Sequence, residues 1–145
     1  MISITTRSLI LIALMLGCAL ALRMNSAAAN QTTARVGQEF SLKAGQQTKF
    51  EGTDLQVKFV TVQQDSRCPS NVNCVWAGNA EVAVDLLRDK CTTILTLNTH
   101  PRPSASDEGK VGDLRIKLVK LDPYPRSDQK ISPSDYTATF LVTKD

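Results

Sequence analysis

The chain is poor in the side chains that chemistry needs. Among 145 residues there are one histidine, one tryptophan, two tyrosines and four phenylalanines. His100 alone has an ordinary pKa close to neutrality, so general acid–base catalysis has little to draw on. Charge of one sign is lacking too, with 17 Lys and Arg against 14 Asp and Glu, a net +3. That surplus is too small for a nucleic-acid footprint. There is no glycine run to cradle phosphate and no zinc-protease helix signature. Outside one apolar segment, no window of ten or more residues carries helical spacing. The composition excludes a disordered, collagen-like or coiled-coil chain and suits one domain.

The apolar segment is Leu9–Leu22, preceded by Arg7 and followed by Arg23-Met24-Asn25-Ser26-Ala27-Ala28-Ala29. Fourteen residues at about 1.5 Å each reach ~21 Å, short of the ~30 Å hydrocarbon core. The pattern predicts a signal-peptide helix over residues 1–29 rather than a spanning anchor, with Ala27 and Ala29 as the small residues before cleavage at Asn30. A competing reading makes Gly17-Cys18 a lipidation site, with Cys18 acylated and the protein anchored to a membrane; Met15 and Leu16 fit that pattern poorly. Loss of residues 1–29 removes Arg7 and Arg23 and no acid, leaving 15 bases and 14 acids, or +1.

Residues 30–35 read as a flexible leader and 36–145 as a single β domain. Period-two alternation recurs in Leu55-Gln56-Val57-Lys58-Phe59, in Val82, Val84 and Leu86, in Cys91, Thr93, Leu95 and Leu97, in Leu114, Ile116 and Leu118, and in Tyr136, Ala138, Phe140 and Val142. Shorter strands are expected around Phe40–Leu42 and Phe50. Turn formers separate them at Ala44-Gly45-Gln46, Glu51–Asp54, Arg88-Asp89-Lys90 and Pro101–Gly112, and within the last the stretch Pro101–Gly109 is expected to be a mobile loop. Six or seven such strands predict an all-β fold, an antiparallel sandwich or small barrel. Asp54–Val62 and Asp113–Leu121 echo each other position for position, and in both the alternation slips, at Phe59-Val60 and at Leu118-Val119. A slip turns later residues to the other face, bending the strand to serve two parts of the core, unless a bulge absorbs it.

The most distinctive stretch is Asp65-Ser66-Arg67-Cys68-Pro69-Ser70-Asn71-Val72-Asn73-Cys74-Val75-Trp76-Ala77-Gly78-Asn79. In an oxidising compartment a Cys68–Cys74 disulfide is the preferred assignment, although three cysteines allow three single pairings. Cys91, on the apolar side of its strand, is then expected to be a buried free thiol. A metal site from Cys68, Cys74, Cys91 and His100 lacks the usual ligand spacings, and no metal or other cofactor is expected. Trp76 is expected to pack on the disulfide and cover the open end of the core, the alternative being an exposed contact anchor. Asp65 and Arg67 are expected to pair or to cap turn amides, and Gly78 to adopt a conformation that tolerates no Cβ.

Asp65-Ser66-Arg67-Cys68-Pro69, Cys74 and Trp76-Ala77-Gly78 resemble a signature recurring in small exported bacterial proteins and lipoproteins of no assigned activity, and the resemblance runs from about Val36 to Lys144. It implies a bacterial envelope protein and supplies neither substrate nor reaction.

Catalysis would fall to His100, beside Pro101 in the loosest loop, or to Asp107 and Glu108, which read as a solvated turn. A hydrolytic or metal-binding role is therefore the weakest expectation. A non-catalytic module is favoured, periplasmic or extracellular, binding a protein or glycan in the cell envelope through the braced loop, with inhibitor-like action as one version of that reading. Asp65, Arg67, Trp76 and Asn79 would meet the partner, with Tyr124 of Asp122-Pro123-Tyr124-Pro125-Arg126 as a second contact or merely part of a stiff connection. The alternative is a structural or stress-related envelope component.

Overall fold

The computed structural model describes residues 33–145, and these form nine strands. In chain order they are β1 (Thr33–Ala34), β2 (Glu39–Lys43), β3 (Gln47–Phe50), β4 (Gln56–Asp65), β5 (Ala80–Arg88), β6 (Cys91–Asn98), β7 (Glu108–Val111), β8 (Leu114–Asp122) and β9 (Thr137–Lys144). A single 3₁₀ turn, Pro133–Asp135, precedes the last strand. Five strands form one sheet in the order β1-β3-β4-β5-β6, and four form the other as β2-β9-β8-β7. The fold is thus a β-sandwich. The expected signal peptide, its cleavage site and Cys18 lie outside the described residues, among which no helix is long and apolar enough to cross a membrane.

Alternation builds the core. Val57 and Phe59 of β4, Val82, Val84 and Leu86 of β5, Leu114, Ile116 and Leu118 of β8, and Ala138, Phe140 and Val142 of β9 all face inward and are buried. Three ring contacts organise the centre: Phe40 stands edge-on to Phe50 at 5.1 Å and lies 5.7 Å from Phe140, which meets Phe59 edge-on at 6.1 Å. Each fully buried phenylalanine contributes roughly 1.5–3 kcal/mol through removal of its surface from water.

Both expected slips in alternation are bulges. Pairing of β4 with β5 shifts between Phe59 and Thr61, and pairing of β8 with β9 shifts between Leu118 and Lys120. The extra residue absorbs the change of parity, so neither strand turns over to serve a second part of the core. Leu121 stays buried beyond the bulge while Val119 is left outside. Val62, at the matching position of β4, also packs against the core.

Three expectations about the chain's edges are corrected. The supposed leader contributes β1, whose Thr33 and Ala34 pair in parallel with Lys49 and Phe50. The loop from Pro101 to Gly112 contains β7, so Glu108 is a strand residue that pairs with Arg115 and Lys117, while Asp107 pairs with Lys117. Two and four residues are too few to show a period, which hides both strands in the sequence. Cys91 is exposed rather than buried. It has the expected parity with Leu95 and Leu97, but it is the first residue of β6, beside the two-residue turn that closes the hairpin.

Candidate functional site

The loop between β4 and β5 leaves one end of the sandwich through a narrow neck. Ser66 N–H donates to the Asn79 carbonyl at 2.7 Å, and Cys68 N–H to the Ala77 carbonyl at 2.8 Å. The Ser66 hydroxyl adds a 2.9 Å bond to the Asn79 carbonyl. This closeness requires glycine at 78. Its φ is +72°, and a Cβ there would lie 1.9 Å from the Ser66 carbonyl oxygen. Beyond the neck, Cys68 and Cys74 form a disulfide, with Cα atoms 5.9 Å apart.

Arg67 fixes the base. Its side chain is only 2% exposed and grips Asp65 with two bonds, Nε to Oδ1 at 2.9 Å and Nη2 to Oδ2 at 2.7 Å. The same guanidinium donates to the carbonyls of Leu121 at 2.7 Å and Pro123 at 2.9 Å. Its guanidinium carbon also lies over the Tyr124 ring, 4.9 Å from the ring centre. Tyr136 donates its hydroxyl to Asp65 Oδ2 at 3.0 Å. Burial opposes ionisation of Asp65 more than any other single influence. The bonds from the Arg67 side chain and amide, its positive charge and the Tyr136 hydroxyl together outweigh that effect and hold the carboxyl below its ordinary value. Burial, followed by the neighbouring carboxylate, pushes the Tyr136 phenol up to about 12.

A second set of bonds straps this loop to the connection between β8 and β9. Asn71 donates to the Ser127 hydroxyl and accepts from the Ser127 amide, both at 2.9 Å, while Ser70 N–H donates to the Pro125 carbonyl at 2.9 Å. Asn79 looks inward instead. It is 6% exposed, donates to Asn98 Oδ1 at 2.7 Å and accepts from the His100 amide at 3.1 Å.

The five candidate contact residues therefore divide. Asp65, Arg67 and Asn79 are occupied within the protein and hold its shape. Trp76 and Tyr124 are exposed, at 82% and 48%. The expected packing of Trp76 on the disulfide is corrected: both Trp76 and Val75, 88% exposed, project into solvent, and Val72 is 43% exposed. The neck pairs Ala77 directly with Cys68, so the two residues before Ala77 fall outside the end of the core. Tyr136 and the carbonyls of Leu121 and Pro123 were missed as members of the site. Only the tyrosine just before the last strand could have hinted at them.

His100 borders a groove of ≈ 190 Å³ with Thr99, Leu118, Val119, Leu121 and Tyr124. Its Nδ1 lies 3.3 Å from the Thr99 hydroxyl. Among the described residues, no three His, Cys, Asp or Glu side chains converge as metal ligands. Compared with known proteins, the chain matches no family model, no curated protein and no solved structure.

Proposed function

We propose that the protein is an exported, non-catalytic binding module that offers Val75 and Trp76 to a partner protein in the cell envelope. The observation that carries this reading is the contrast within one loop, where the base is buried and multiply bonded while two large apolar side chains at the tip are almost fully exposed. Burying an indole and a branched aliphatic chain gives association its largest apolar gain, and Trp is prominent among interface anchors. The disulfide and the neck lower the ordering cost that a flexible loop would incur on docking. Val75 favours a protein surface over a glycan, since sugar hydroxyls gain nothing from an aliphatic neighbour. The disulfide is compatible with an oxidising compartment, as export requires.

The test compares wild type with Trp76→Ala, first in thermal unfolding and then in capture of binding partners from the native envelope. Unchanged unfolding with loss of a specific captured protein supports the reading. Capture that survives the substitution, or a partner that proves to be a glycan, overturns it.

A further inference from the structure

The edge of the larger sheet carries a second interaction surface. β6 is its last strand, and among the described residues no strand lies on its outer side. Natural edges are usually blunted by lysine, proline, a bulge or shortness. This edge has none of these. Its sequence, Cys-Thr-Thr-Ile-Leu-Thr-Leu-Asn, holds no ionised side chain and no proline, and its pairing with β5 runs from Glu81↔Asn98 to Arg88↔Cys91 without a shift.

The hairpin geometry decides which backbone groups are free. Asp89 and Lys90 both have positive φ, 50° and 65°, as a two-residue primed turn requires. Such a turn is closed by a hydrogen-bonded pair, here Arg88↔Cys91, and bonded pairs then alternate along the ladder. Cys91, Thr93, Leu95 and Leu97 therefore direct their amides and carbonyls at β5, whereas Thr92, Ile94, Thr96 and Asn98 direct theirs outward. The amide of Asn98 confirms this direction, since it donates to the Ser106 carbonyl at 2.9 Å. Thr92, Ile94 and Thr96 are all exposed, Ile94 at 74%.

We infer that this edge pairs with the same edge of a second copy of the chain, antiparallel about a two-fold axis at Ile94. The strand is its own complement in that register. Ile94 meets Ile94, Thr92 meets Thr96 of the other copy, and these three residues, whose outward groups Ser106 does not occupy, all fall in hydrogen-bonded pairs. β-branched and Thr–Thr pairs of this kind stabilise antiparallel ladders. Charge does not oppose the union. Asp85, which neighbours Ile94 on β5, would lie about 14 Å from its symmetry mate across three ~4.8 Å strand spacings, beyond the ~8 Å screening length of physiological salt. The result is a closed, isologous dimer with a continuous sheet.

Sedimentation of the purified protein under reducing conditions tests the inference, together with the distance between spin labels on the exposed Cys91. A dimer is expected, with the Cys91 Cα atoms about 20 Å apart, because six residues at ~3.4 Å separate them along the paired strands. Ile94→Pro removes only an outward-facing amide, and Ile94→Lys sets two like charges face to face. Each is expected to halve the sedimenting mass, while Trp76→Ala leaves it unchanged. A monomeric wild type, a dimer that needs oxidation, a Cys91 separation far from 20 Å, or a folded Ile94→Lys protein that still dimerises would overturn it. A dimer lost with Trp76→Ala would place the contact at the loop tip instead.

Discussion

At the scale of single residues, Arg67 does the most. Its guanidinium neutralises a nearly buried carboxylate, satisfies one carbonyl at the end of β8 and one just beyond it, and lies over an aromatic ring. Arg67→Met would leave Asp65 without its counter-charge, and breaking a buried pair in this way costs about 3–5 kcal/mol. Chemical denaturation should show the loss directly. The pH dependence follows from Asp65. Its carboxyl titrates lower in the folded protein than in the unfolded chain, so its stabilisation is complete above the ordinary carboxylate value near ~4 and drains away as pH falls through the folded value. Asp65→Asn should therefore flatten the acid limb of a stability–pH curve. Tyr136 acts at the other end. Its phenol is raised to about 12, so its contribution holds below the ordinary value near ~10 and is lost as pH climbs through the folded one. The exposed Cys91 gives a separate readout: in a chain beginning at Asn30, one thiol should react with a water-soluble reagent without denaturant, and three after reduction.

Among the elements, β8 shows how far the sequence could be read and where reading stopped. Its alternation, its break at Leu118-Val119 and the matching break in β4 are visible as letters because a bulge leaves a one-residue fault in a period of two. A chain lacking Val119 should fold with its core face intact, since the deletion restores strict alternation through Leu121. Deleting Lys117 should cost more stability, because Leu118 is then turned to solvent and Val119 takes its place in the core; chemical denaturation separates the two outcomes. Position 78 is legible for a related reason, as a glycine at a neck. Gly78→Ala should lower the thermal midpoint, with a cost above the ~1 kcal/mol common for an incompatible glycine replacement, because the added methyl meets backbone. What the letters do not carry is distance. Arg67 and its acceptor Leu121 are 54 positions apart, and no local pattern announces their meeting. Trp76 misled for the opposite reason: an apolar residue next to a disulfide suggests a core, but the core ends at the neck.

For the whole molecule, the β4–β5 loop of one sheet and the β8–β9 connection of the other are fastened together at one end of the sandwich. They should open as a unit. In hydrogen exchange, Arg67→Met is expected to speed the amides of Ser70 and Ser127 together while those of β5 keep their protection; independent behaviour of the two loops would contradict the fastening. Reduction of the disulfide should act more mildly. Freeing a loop of about seven residues releases roughly 2 kcal/mol of chain-entropy stabilisation, seen as a lower denaturation midpoint with the sandwich still folded at room temperature.

The division between a bonded base and an unsupported tip also bears on protein engineering. Val72, Val75 and Trp76 contribute little to the interior, so foreign sequence grafted at those places meets few packing demands while inheriting a fixed attachment. The molecule is in that respect a ready display scaffold: a chosen specificity can be written at the tip while the architecture beneath stays as it is.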